Sequence, residues 1–353
     1  MVENINYKRI SRISPSQYYS LKSCSYKSIL AEAFDKKTLL PLSPNAYLGT
    51  VLHKILELIS KGQISDEQQL NLVFNQEINN METFLIEKGM SLFVPLQMNV
   101  MDFGLKKIQL KKHLRAVGNA SLKPPSFLTE KWVESKDSLI GGKVDLIIVA
   151  DDFIEIIDFK TGSITEDVLD DTGEVFQEVK SEYRDQLKLY GFLYYDKFGS
   201  FPSKLSVVDL RKQKYSIEFS FEECKSIFED AKKLLNEVND GIETGVFNAV
   251  PNETNCKYCL YRPACKFYYQ NLSVNFQFND LKGLVKNVNQ YQNGNVTVFI
   301  EDINNTKFAI TGFSRDYNNY FNNILNQEIS IFNLRKEAAE MVYSVTRTTK
   351  IYE

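Results

Sequence analysis

Asp145, Asp158 and Lys160 stand inside two apolar runs, in the stretch GGKVDLIIVADDFIEIIDFKTG at 141–162. A packed sheet would prefer none of the three. Read as a β-hairpin with Asp151 and Asp152 as a two-residue loop, the stretch pairs Ala150 with Phe153. The same ladder then sets Asp145 directly opposite Asp158. Their Cβ atoms are expected roughly 5 Å apart on one face. Lys160, two residues beyond Asp158, shares that face. Val, Ile and Leu on both faces mark these as central strands, where an uncompensated charge costs several kcal/mol. A divalent cation between the carboxylates removes the conflict. A polar sheet edge with an Asp158–Lys160 salt bridge also accounts for those two residues, but it leaves Asp145 without a reason.

Further residues sharpen the reading. LGTVLHKILE carries Gly49 and His53 in a G-x-x-x-H spacing, and QLKLYGFLY carries Gln186 and Tyr190 in Q-x-x-x-Y. Four residues apart, Gln186 and Tyr190 fall on one helix face. The order His, Asp, Asp-x-Lys, Gln-x-x-x-Tyr over about residues 14–270 resembles the PD-(D/E)XK nuclease superfamily, and RecB-like nucleases within it; IDFKTG resembles that family's D-Y-K-T-G. The resemblance implies a restriction-endonuclease-like α/β core, a mixed central sheet flanked by helices. It implies His53, Asp145, Asp158 and the backbone carbonyl of Phe159 as ligands of Mg²⁺ or Mn²⁺. Carboxylates suit Mg²⁺, and an added imidazole tilts a site toward Mn²⁺. Such ions supply a nucleophile and charge stabilisation for phosphodiester hydrolysis. Lys160 would orient water or neutralise the phosphate, and Gln186 and Tyr190 would touch DNA or position Lys160. Glu134, one strand earlier, is a weaker candidate for a supporting role, as is Glu130.

Five cysteines are present: Cys24, Cys224, Cys256, Cys259 and Cys265. In a large cytosolic chain, tight cysteine spacing reads as a metal or cluster site rather than a disulfide framework. CKYCLYRPAC gives C-x₂-C-x₅-C, three thiolates in need of a fourth ligand. Zinc sites usually bring two close pairs, and no second pair exists. The arrangement resembles the iron–sulfur subgroup of RecB-like nucleases, AddB and CRISPR-associated relatives among them. The resemblance implies that Cys24, Cys256, Cys259 and Cys265 bind a [4Fe–4S] cluster, with zinc as the alternative. Cys224, on an amphipathic helix, reads as a buried free thiol.

The elements that must position these groups follow from the periodicity. Residues 14–34, 45–60, 66–90 and 98–118 read as helical, the second with Leu48, Leu52, Ile55, Leu56 and Ile59 on one face. From 127 the pattern turns to strands, then to a helix over 181–198, two short strands and a further helix before the cysteines. The last 83 residues are Asn-rich and strand-rich. Three strands, a helix and two strands resemble an OB-fold; an unrelated small β domain remains the other reading. The expected domains are 1–270, the nuclease with its four cysteines, and 271–353, the small β domain. Tyr291, Phe299, Lys307 and Phe308 are its aromatic and basic candidates for contact with a single strand, with Phe299 read rather as core.

The chain has 353 residues, is 43% hydrophobic, and carries a net charge of −3. That balance gives no global electrostatic case for nucleic acid, and the basic run at 106–115 reads as a solvated helix face. No apolar run approaches the roughly 18 residues of a membrane span. With no apolar leader at the N-terminus, the expected location is the cytoplasm. No phosphate-binding loop occurs, so a helicase or other ATPase partner would be a separate subunit. The function expected is metal-dependent DNA cleavage in repair, recombination or antiviral defence. The alternatives are a nuclease fold that grips DNA ends without cutting, and a structural subunit of a helicase–nuclease complex.

Overall fold

The computed structural model describes residues 5–114, 126–150, 153–169, 174–272 and 279–353. The expected loop residues Asp151 and Asp152 lie outside them. The chain divides into two compact units. One comprises Arg9–Ser23 and Pro44–Phe247; the other comprises Met1–Lys8, Cys24–Ser43 and Asn248–Glu353. A division at residue 270 was expected. Instead the cysteine segment falls in the same unit as the C-terminal strands. The fold is α/β, a restriction-endonuclease-like core with a C-terminal β half-barrel.

The first unit is built on a five-stranded mixed sheet. Its strands are β1 (Ser126–Glu134), β2 (Gly141–Ala150) and β3 (Phe153–Lys160), then β6 (Lys204–Asp209) and β7 (Lys214–Ile217). Between β3 and β6 stand a side hairpin, β4 (Thr165–Leu169) with β5 (Val175–Val179), and the helix Ser181–Phe198. β1, β2 and β3 run antiparallel, β6 pairs parallel with β3, and β7 closes the edge. Parallel pairing needs a crossover, which the helix Ser181–Phe198 supplies. Leu146 faces Ile157 and Ala150 faces Phe153, the register expected from a two-residue loop.

Alternation along β3 splits its side chains between two faces. Ile157 and Phe159 join Leu48, Leu52, Ile55 and Leu56 of the helix Pro44–Ser60 in one core. Asp158 and Lys160 point to the side of the helix Ser181–Phe198. That helix buries Leu187, Leu189 and Leu193 beside Gln186 and Tyr190. Phe221–Thr244 follows, started by a reciprocal cap between Ser220 and Glu223. Among the described residues no helix is long and apolar enough to cross a membrane.

The helical stretch expected over 14–34 is two helices, Pro15–Ser23 in the first unit and Ser25–Ala33 in the second. Cys24 takes an extended conformation, φ −160° and ψ 93°, and stands at the N-terminus of the helix Ser25–Ala33. The half-barrel has strands β8 (Leu281–Gln290), β9 (Val296–Glu301), β10 (Lys307–Phe313), β11 (Glu328–Phe332), β12 (Arg335–Lys336), β13 (Val342–Ser344) and β14 (Lys350–Tyr352). The helix Tyr317–Asn323 falls between β10 and β11, as the sequence suggested. β8 lies between β9 and β11, and β10 pairs parallel with β13. Of the final strand expected, over 340–348, the part Val342–Ser344 forms β13, which meets β10; β14 follows it and meets β11. Val285, Val296, Val298, Ile300, Ile310 and Phe321 fill the interior.

Candidate active site

Asp158 sits at the centre of the first unit's polar groups, only 5% exposed on the most buried stretch of β3. Gln186 Nε2 donates to its Oδ1 at 2.8 Å. Gln186 Oε1 accepts from Lys160 Nζ at 3.0 Å. Lys160 Nζ also lies 2.9 Å from Asp158 Oδ2. That contact is an ion pair without hydrogen-bond geometry, and the buried Oδ2 accepts no hydrogen bond. Lys160 further stands over the Tyr183 ring, 4.7 Å from its centroid. A cation over an aromatic face is attracted by the ring quadrupole.

Asp145 reaches the same locality differently. Its Oδ2 accepts the backbone N–H of Phe159 at 2.7 Å. Burial, then the charge of Asp158, pushes its carboxyl up to about 7, against the Phe159 N–H and Lys160. Two buried carboxylates in mutual reach resist joint ionisation. Phe159 thus meets the site through its N–H, while its ring packs in the core against His113.

His53, on the helix Pro44–Ser60, is held below the ordinary imidazole range by burial and by Lys160; Asp158 and Glu130 pull the other way. A neutral imidazole keeps a lone pair for a ligand. That helix passes beside Thr161 at Gly49. A Cβ there would already sit 3.4 Å from Thr161 Oγ1, directly after Lys160.

Tyr190 does not reach Lys160. Its hydroxyl donates to the backbone carbonyl of Lys143 at 2.7 Å, pinning β2 two residues before Asp145. Gly142 makes room for it, because a Cβ there would fall 2.9 Å from the Tyr190 hydroxyl. Glu134 binds elsewhere, to the Trp132 indole N–H at 2.9 Å and near Arg12 at 3.5 Å. Glu130 is the outer acid whose charge His53 and Asp145 feel, and it pairs with Lys143 at 2.7 Å. Sequence reading passed over Tyr183 and Gly142. Tyr183 was accessible to it, lying three residues before Gln186 and so on the same helix face.

The match to known families now decides the matter. Residues 12–266 match the PD-(D/E)XK nuclease superfamily. The chain belongs to that superfamily. Among solved structures, a candidate exonuclease from Eubacterium rectale is 9% identical, covering 74% of this chain and 88% of its own, with a TM-score of 0.39. A structure described as "Structural mimicry for functional antagonism" is 8% identical over 59% of this chain and 80% of its own, with a TM-score of 0.18. Likeness at these levels carries no argument about function. No curated protein matches the chain.

Among the described residues, no group of three or more His, Cys, Asp or Glu is gathered to hold a metal ion. The donor chemistry of the two carboxylates nonetheless fits a hard cation. One oxygen of Asp158 is buried without a hydrogen bond, and burial together with the charge of Asp158 raises the Asp145 carboxyl, a conflict that a cation would relieve. Mg²⁺ commonly takes one or two carboxylates and completes its shell with water and substrate phosphate.

In the second unit Cys24, Cys256, Cys259 and Cys265 line one cavity together with Arg262 and Tyr268. No disulfide joins them. Burial and the neighbouring thiols push Cys256 up to about 11 and Cys265 up to about 12. Cys224 belongs to the first unit, fully buried on the helix Phe221–Thr244, where burial alone dominates its rise to about 12.

Proposed function

We propose that this nuclease-superfamily chain is a Mg²⁺- or Mn²⁺-dependent deoxyribonuclease. The observation that carries the reading is the bracketing of Asp158: Gln186 holds one oxygen, Lys160 stands beside the other, and that second oxygen accepts no hydrogen bond. Asp158 and Asp145 would hold the cation, with His53 and the Phe159 carbonyl near it. When bound, the ion would acidify the attacking water and stabilise charge on the phosphoryl oxygens.

The chain's own groups divide the remaining work. Lys160, fixed by Gln186 and by the Tyr183 ring, presents a positive charge for the scissile phosphate. Gln186 ties Lys160 to Asp158, so acid and base keep one spacing. Tyr190 holds Lys143, and through β2 the height of Asp145. The Phe159 N–H fixes the Asp145 carboxylate in rotation.

The four cysteines would hold a [4Fe–4S] cluster. Their shared cavity supports this, with zinc as the alternative. Action on DNA ends beside a separately encoded helicase rests on the family resemblance.

The test is digestion of end-labelled single- and double-stranded DNA with Mg²⁺, Mn²⁺ or EDTA, using the wild type and Asp158→Ala. Metal-dependent cutting by the wild type alone is expected. Equal cutting by a folded Asp158→Ala protein would overturn the assignment.

A further inference from the structure

We infer that Arg262 and Asp280 form a clamp that sets the shape of the Cys256–Cys265 loop, making the C-terminal half-barrel a working part of the cysteine site. The inference rests on the reading of those cysteines as a metal-cluster site.

Arg262 stands in the middle of the C-x₂-C-x₅-C segment and is only 5% exposed. Its Nη1 donates to three carbonyls of that same segment: Cys256 at 3.1 Å, Lys257 at 3.2 Å and Cys259 at 2.8 Å. A short loop offers few internal partners for its carbonyls, and a buried carbonyl without one is costly. Collecting three on one guanidinium gives the loop a single curled shape. Arg262 also lines the cavity that the four cysteines share.

The other edge of the guanidinium looks toward the half-barrel. Nε donates to Asp280 Oδ2 at 2.8 Å, and Nη2 donates to Asn333 Oδ1 at 2.8 Å. Asp280 is equally buried. Its Oδ2 also accepts the Tyr268 hydroxyl at 2.6 Å, and its Oδ1 accepts the Asn333 N–H at 2.7 Å. Asp280 directly precedes β8, and Asn333 turns the chain between β11 and β12 with φ +60°. An apolar cluster backs the network, with Cys256 and Tyr268 against Phe332 of β11 and Leu40. A buried ion pair is stable only with every hydrogen bond in place, and removing one partner strands the other charge. Both ends of the clamp must therefore be present for the loop to keep its shape.

Lysine cannot replace Arg262. It offers a point charge rather than a fork that meets a carboxylate and several carbonyls at once. Asp280→Asn keeps the shape of the side chain and removes its charge.

The experiment uses the full chain, purified without oxygen, as wild type, Arg262→Lys, Asp280→Asn, the milder Asn333→Ala and the neutral double variant Arg262→Met with Asp280→Leu. Circular dichroism and thermal unfolding identify the folded ones. Iron and sulfide per chain and the rate of iron loss to a chelator are measured. The rate at which a thiol reagent modifies Cys256 and Cys259 in the metal-free protein is measured too, with Cys224 as internal control. Iron loss and Cys256/Cys259 modification about tenfold faster in Arg262→Lys and Asp280→Asn, with Cys224 unchanged, are expected. Wild-type rates of both in folded variants would overturn the clamp. Wild type with no iron or sulfide would instead sink the cluster reading, and the modification rates would still decide the clamp.

Discussion

Gln186 donates from its Nε2 to Asp158 Oδ1 while its other amide atom accepts from Lys160. One neutral side chain thus links the acid to the base. Gln186→Ala should leave a buried carboxylate oxygen without its donor, a cost of about 1–3 kcal/mol. The unlinked Lys160 should cost roughly 10- to 100-fold in single-turnover rate, as misplacement of an orienting group does. Asp158→Ala and Lys160→Ala should cost orders of magnitude more. If Gln186→Ala cuts as fast as wild type, the linkage has no catalytic role.

A close approach makes a second prediction. Gly142→Ala places a methyl 2.9 Å from the Tyr190 hydroxyl and 3.0 Å from Pro15 Cδ. The clash should displace Tyr190, break its bond to the Lys143 carbonyl and shift β2 at Asp145. Tyr190→Phe alone loses that bond, worth about 1 kcal/mol net. Combined, the two changes should cost less than the sum of the singles, because the removed hydroxyl is what the methyl strikes. Urea midpoints of the four proteins measure this. Strict additivity would mean the two residues act independently.

The register of β2 with β3 was readable because a two-residue loop leaves one pairing, and the alternation then placed Asp158 and Lys160 together. The position of Asp145 was readable, but its bond to the Phe159 N–H was not, since strand periodicity is silent about a side chain that caps backbone. Gln186 and Tyr190 share a helix face as spacing demands, yet they touch different strands, which spacing cannot say. The Arg262–Asp280 pair carries no motif and spans eighteen positions. The division of the chain was illegible for a related reason. The cysteine loop joins the half-barrel through that buried pair and through Cys256 against Phe332, contacts that composition does not mark.

The half-barrel's charge argues against the single-strand role expected of it. Eight Lys and Arg stand against eight Asp and Glu over 279–353. Phe308 packs on Tyr343 with centroids 6.0 Å apart, and Phe299 is half-buried. Of the three aromatic candidates Tyr291, at a turn, is the exposed one, at 53%. Tyr291→Ala and Lys307→Ala should therefore change single-strand affinity less than twofold, with the salt slope of the wild type. A lost phosphate contact would lower that slope by about one. Loss of tenfold affinity in either variant would restore the nucleic-acid role of this face.

The last prediction concerns acid. The chain has two histidines, His53 and His113. His113 Nε2 lies 3.0 Å from the carbonyl of Asp209 and 3.2 Å from that of Leu210, so the neutral ring donates there. Burial pulls its pKa below the ordinary imidazole range, although both carbonyls and Asp209 favour the proton; Lys212 disfavours it. The native state therefore resists a proton that the unfolded chain accepts near pH 6.5. By linkage, stability is whole above that pH and falls as pH drops below it, by at most about 1.4 kcal/mol per pH unit for one group. His113→Gln keeps a donor for the carbonyls and has no proton to gain. Urea unfolding at pH 7, 6 and 5 should show a steeper loss in the wild type than in His113→Gln; in both proteins His53 adds to the loss and Asp145, whose raised carboxyl takes up a proton in the native state over this range, opposes it. Parallel curves for the two proteins would mean that His113 takes its proton as readily folded as unfolded, and that its buried contacts do not set the acid limit of this fold.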